Sequence, residues 1–139
     1  MAKKMTQLTI FSDGGARGNP GPAGAGAVIL DADGKVLAEL HEYLGETTNN
    51  QAEYRAMIMA LKAAKKMSPA SVAVFADSEL VVKQINGEYR VKDEGLKPLF
   101  KELMSLLGDF SDYKVTHVRR EKNKHADKLA NKAIDSKGE

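Results

Sequence analysis

The spacing of apolar residues changes period along the chain, and each change marks an element. From Gln7 to Gly15 the residues alternate, Leu8, Ile10 and Ser12 on one side and Thr9, Phe11 and Asp13 on the other, which predicts a strand. A Gly/Pro/Asn-rich loop is expected over Ala16 to Pro22, then a second strand over Ala23 to Asp31. The turn Asp31-Ala32-Asp33-Gly34 predicts a hairpin returning as a third strand from Lys35 to Gly45, with Val36, Ala38 and Leu40 alternating. The period then becomes helical. A helix is expected from Asn49 to about Lys66, with Ala52, Ala56, Met59, Ala60 and Ala63 on its inner stripe, ended by Ser68-Pro69. Ser71 to Ala76 is almost wholly apolar, as in a strand covered on both faces. Further helices are expected from Asp77-Ser78 to Asn86-Gly87, from Leu96 to Leu107 and from Asn123 to Ser136, with a fifth strand from Tyr113 to Val118. The order β-β-β-α-β-α-α-β-α implies an α/β fold, a mixed sheet with helices packed on it.

A chain of 139 residues fits one domain spanning 1–139, with flexible ends at about 1–6 and 136–139. A net charge of +2 leaves binding of a polyanion to local geometry rather than to a broad basic field. Cysteine is absent, which excludes disulfides, thiolate metal sites and cysteine nucleophiles. No apolar run reaches the length of a membrane span, and MAKKMTQ lacks the apolar stretch of a leader, so a cytoplasmic location is expected.

Four carboxylates stand where strands end or helices begin: Asp13 after the first strand, Glu53 early in the first helix, Asp77 after the fourth strand, and Asp127 early in the last helix. Each has a structural alternative. Glu53 lies three residues after Asn50 and could complete a capping box; Asp77 could cap the following helix; Asp127 could complement a helix N-terminus. Taken together they suggest more. Strand ends and helix starts meet at one edge of an α/β layer, and carboxylates gathered there must protonate or share cations. Oxygen ligands without Cys or His spacing favour Mg²⁺ or Mn²⁺, and two such ions suit in-line displacement at a phosphodiester. No GxxxxGK[ST] stretch is present, which excludes a P-loop.

The segments FSDGGARGNPGPAG (11–24), TTNNQAEYRAMIMAL (47–61), VFADSELVVKQINGEY (74–89) and VRREKNKHADKLANKA (118–133) together resemble ribonuclease H, type 1, over almost the whole chain. The resemblance implies a ribonuclease H-like fold, a five-stranded mixed sheet whose first three strands are antiparallel, flanked by helices. It implies metal-dependent endonucleolytic cleavage of the RNA strand of RNA–DNA hybrids, leaving 5′-phosphate and 3′-hydroxyl ends. By motif position Asp13, Glu53, Asp77 and Asp127 match the family's ligands to two Mg²⁺ ions, with Mn²⁺ as a substitute, and Glu53 matches the glutamate that reads a ribose 2′-hydroxyl. Gly14, Asn19, Thr48, Asn49, Asn50, Ser78, Arg120 and Asn123 match positions that touch nucleic acid.

Two departures stand out. Many members carry a histidine in the loop before the last carboxylate; here it reads Arg119-Arg120-Glu121-Lys122-Asn123, and Glu121 is the candidate replacement. The segment Glu88 to Gly95 is too short for the basic handle of some relatives, which leaves backbone contacts to Lys83, Lys92, Arg119, Arg120, Lys122 and Lys124. The expected partner is an RNA–DNA hybrid, bound by a monomer with no obligate protein partner. A nuclease that also cuts double-stranded RNA, and a hybrid-binding module without catalysis, remain as alternatives.

Overall fold

A computed structural model describes residues 7–137. Five strands form one sheet in the order β3-β2-β1-β4-β5, from β1 (Gln7–Ala16), β2 (Gly21–Leu30), β3 (Val36–Thr47), β4 (Ser71–Ala76) and β5 (Asp112–His117). The first three run antiparallel, whereas β1–β4 and β4–β5 are parallel pairs. The helices are α1 (Asn49–Lys65), α2 (Glu79–Ile85), α3 (Lys97–Leu107) and α4 (Lys124–Ser136), with a 3₁₀ turn at Arg120–Lys122 before α4. The expected flexible ends at 1–6 and 138–139 lie outside the described residues, while Ser136 closes α4 rather than fraying.

The main core lies between the sheet and α1. Leu8 and Ile10 of β1, Ala27 and Ile29 of β2, and Val72 and Val74 of β4 meet Tyr54, Met57 and Leu61 of α1 and Leu103 and Leu107 of α3. Helix α1 therefore buries more than one stripe, since α3 covers its far side; Met59 and Ala63 are only partly buried. Helix α4 packs on the opposite face, where side chains would obstruct it. A Cβ on Gly26 would lie 2.4 Å from both the Ala126 carbonyl oxygen and the Ala130 nitrogen. Expected strand bounds shift in two places. β1 runs on to Ala16 and β2 begins at Gly21, so the expected seven-residue loop contracts to a turn closed by the Arg17 N–H donating to the Pro22 carbonyl at 2.9 Å. β3 is an edge strand, and Val36 is largely exposed rather than inward. The alternation of β4 also differs from a strand covered on both faces: Val72, Val74 and Ala76 are buried, while Ser71, Ala73 and Phe75 are only half-buried because α4 does not cover them.

Candidate active site

The parallel β1–β4 pair places two acids side by side. Ser12 and Ala76 are register partners, and the next residue in each strand is a carboxylate, Asp13 and Asp77. Glu53 reaches the same point from α1, which can approach because position 14 has no side chain. A Cβ there would lie 2.1 Å from the Ala52 carbonyl oxygen. Glu53 Oε1 accepts the Gly14 N–H at 3.1 Å, so its role is not that of a capping box. The cap of α1 is Thr48, whose hydroxyl accepts from Gln51 N at 3.2 Å; neither Asn49 nor Asn50 caps it. Likewise Ser78 caps α2, leaving Asp77 free for the site.

One oxygen from each of Asp13, Glu53 and Asp77 lies within 4.8 Å of the others. Asp13 is 8% and Glu53 6% exposed. Burial, then the Glu53 and Asp77 charges, push the Asp13 carboxyl up to about 10; contact with Asp127 adds to this. Burial also raises Glu53, to about 7, against the lowering effect of its hydrogen bonds with Asp13 and Gly14 and of the Arg120 charge. Glu53 Oε2 is buried without a hydrogen-bond partner. A buried, unpartnered carboxylate oxygen beside two more carboxylates fits a divalent cation held by oxygen ligands.

The cluster opens into a groove of about 340 Å³. Of the positions singled out in the sequence, Asp13, Gly14, Asn49, Asn50, Glu53, Asp77, Ser78, Arg120 and Asp127 line it. Four do not. Asn19 is exposed in the β1–β2 turn, its Oδ1 accepting the Asn49 N–H at 3.1 Å while Asn49 Oδ1 accepts the Ala16 N–H at 2.7 Å. Thr48 is occupied as a cap. Glu121 points into solvent, its nearest charged partner Arg119 at 3.9 Å. Asn123 is not a surface contact for nucleic acid: it is 1% exposed. Its Nδ2 donates to the Ser12 carbonyl at 2.8 Å and to Asp77 Oδ2 at 2.9 Å, and its backbone carbonyl accepts the Asp127 N–H at 3.0 Å. One buried residue thus ties the end of β1, the end of β4 and the start of α4 together.

The far end of the groove is walled by Arg17, Asn131 and Ile134, which sequence reasoning passed over. Arg17 Nη1 donates to Asp135 at 2.7 Å and Nη2 to Asn131 at 3.2 Å. The spacing of Asp127, Asn131 and Asp135, four residues apart on one helix, was the available signal.

Comparison with known proteins places this geometry. The family model described as "Reverse transcriptase-like" matches residues 11–133. The bifunctional protein Rv2228c of Mycobacterium tuberculosis is 44% identical over 131 residues, covering 94% of this chain and 36% of that protein. The chain thus spans about a third of the length of that curated relative. The crystal structure of RNase H1 from Halobacterium salinarum superposes with a TM-score of 0.91 at 42% identity, covering 94% of this chain and 98% of that one. LC11-RNase H1, solved in complex with an RNA/DNA hybrid, gives a TM-score of 0.89 at 44% identity, covering 94% and 98%. The family match spans every carboxylate of the cluster, and the chain belongs to the ribonuclease H family.

Proposed function

We propose that this chain is an endoribonuclease that cleaves the RNA strand of RNA–DNA hybrids with divalent metal ions, the oxygen donor set suiting Mg²⁺ or Mn²⁺. The observation that carries the reading is the Asp13–Glu53–Asp77 triad, with Asp13 and Glu53 buried, Asp77 half-buried and one Glu53 oxygen unpartnered, at the mouth of an open groove. The hybrid bound by the similar LC11 enzyme supports the choice of substrate.

Asp13, Glu53 and Asp77 would hold the metal, with Asp127 completing the set from α4. Divalent ions held there would supply charge neutralisation for an in-line displacement at the phosphodiester. The reaction adds water across the phosphodiester: a P–O bond forms to the water oxygen and the P–O3′ bond breaks. The 3′-oxygen takes up a proton, leaving 5′-phosphate and 3′-hydroxyl ends. Arg120 borders the groove and lowers the pKa of Glu53 by its charge, so it is placed to meet a phosphate. Asn49 and Asn50 offer amides to sugars in the groove, where contacts register shape without demanding a base sequence. Asn123 acts behind the site by holding Asp77 against the end of β1.

The test is a substrate panel in Mg²⁺: RNA–DNA hybrid, RNA duplex, DNA duplex and single-stranded RNA, with the product ends identified. Internal RNA cuts in the hybrid with 3′-hydroxyl ends are expected. Equal cutting of the RNA duplex supports the broader nuclease instead, and hybrid binding without cuts in any metal overturns the enzymatic reading.

A further inference from the structure

Outside the groove, α4 carries a second polar face. Lys124, Lys128 and Lys132 follow one another at intervals of four residues and are all exposed. That spacing aligns them in a row about 12 Å long on the crest of the helix, about 80° around its axis from Asp127 and Asn131 in the groove wall. Like charges at this spacing repel, so the row costs the isolated helix stability.

The acids that could compensate it are engaged elsewhere. Asp135 is held by Arg17 at 2.7 Å, Glu39 by His125, and Asp127 lies against Asp13. Among the described residues no ion pair reaches any of the three lysines. On the other side of the sheet Lys62 pairs with Glu102, Lys65 with Asp109 and Lys97 with Glu94, while Lys66 and Lys101 stand unpaired among the described residues but form no row beside the groove. A chain with a net charge of only +2 therefore leaves an uncompensated positive row directly beside its acidic groove.

We propose that this row is an accessory contact for the phosphodiester backbone of the duplex, engaging phosphates on the flank of the hybrid beyond the step that is cut. The inference rests on the hybrid-cleaving reading and extends it to a surface outside the catalytic groove. Long, flexible ammonium side chains track phosphates without reading sequence, and they offset the repulsion between a polyanion and four clustered carboxylates. Helix α4 then serves the substrate from two faces. Its groove side carries Asp127 for the chemistry, and its crest carries affinity.

The test compares wild type with the triple variant Lys124→Gln, Lys128→Gln, Lys132→Gln, which keeps side-chain length and helix propensity. A control triple variant, Lys35→Gln, Lys66→Gln, Lys114→Gln, removes the same charge from exposed sites elsewhere. Binding of a fluorescent hybrid is followed by anisotropy in chelator across a salt series, and cleavage kinetics are measured in Mg²⁺. At about 0.9 per phosphate contact, the slope of log K against log salt should shrink by about 2–3 in the α4 variant and not in the control. KM at low salt should rise roughly tenfold with kcat unchanged. An unaltered slope and KM, or equal losses in the control, overturn the proposal. Absence of cleavage by wild type with the slope change intact rejects the enzymatic reading and keeps the surface.

Discussion

Replacing Asp13 by Asn removes the carboxyl that the metal-free fold must keep protonated. Its carboxyl is pushed up to about 10 from 3.8, by burial first and then by Glu53 and Asp77. A group whose folded pKa is raised binds its proton more tightly when folded. The stability this proton confers is complete below the unfolded value of 3.8 and is lost as pH rises towards about 10. At about 1.4 kcal/mol per pH unit, the loss at about pH 7.5 is bounded on the order of 5 kcal/mol, and water entry and side-chain relaxation bring it to about 2–4 kcal/mol. The Asn variant keeps its hydrogen-bonding capacity and is neutral in both states, so it takes up no proton on folding. In chelator it should therefore melt roughly 6–15 °C above wild type at about pH 7.5, by circular dichroism. The gap should narrow at about pH 5, because wild type has lost less there. Saturating Mg²⁺ should raise wild type and leave the variant nearly unmoved. A variant no more stable than wild type in chelator, or a gap insensitive to pH, refutes the view that these carboxylates are held together against their own repulsion.

Further expectations concern the supports of the cluster. Gly14→Ala places a methyl against the Ala52 carbonyl, 2.1 Å from its oxygen, and should cost about 3 kcal/mol in denaturant unfolding together with nearly all cleavage. Asn123→Ala removes both bonds of the buried amide and should cost about 2–3 kcal/mol while weakening Mg²⁺ binding by roughly tenfold or more in calorimetry. Glu121→Gln should leave kcat within about twofold, whereas Arg120→Ala should lower kcat/KM by roughly tenfold to a hundredfold, because only Arg120 borders the groove.

The order of elements and the meeting of Asp13, Glu53 and Asp77 at one groove, with Asp127 on its wall, were legible in the sequence, because both follow from local period and from where strands and helices end. How neighbouring polar residues divide their roles was not. Thr48, Asn49 and Asn50 are adjacent and all can cap a helix; the cap falls to Thr48 because Asn49 bonds the Ala16 N–H across the turn. Asn123 looks like an exposed loop amide, and its burial arises only when α4 closes over the end of β1. Glu121 was attractive by its place in the loop, but the 3₁₀ turn directs Arg120 to the groove and Glu121 to solvent. Val36 alternates properly yet lies on an edge strand with little to cover it. Arg17 went unremarked because its partners, Asn131 and Asp135, are more than a hundred residues away.

The most direct test of the carboxylate cluster as the catalytic centre is cleavage of a labelled RNA–DNA hybrid by wild type and by Asp77→Asn, each in Mg²⁺ and in chelator. Internal RNA cuts are predicted for wild type in Mg²⁺ alone, with none by the variant even though it remains folded. Metal-dependent cutting that survives Asp77→Asn, or cutting by wild type in chelator, contradicts the assignment.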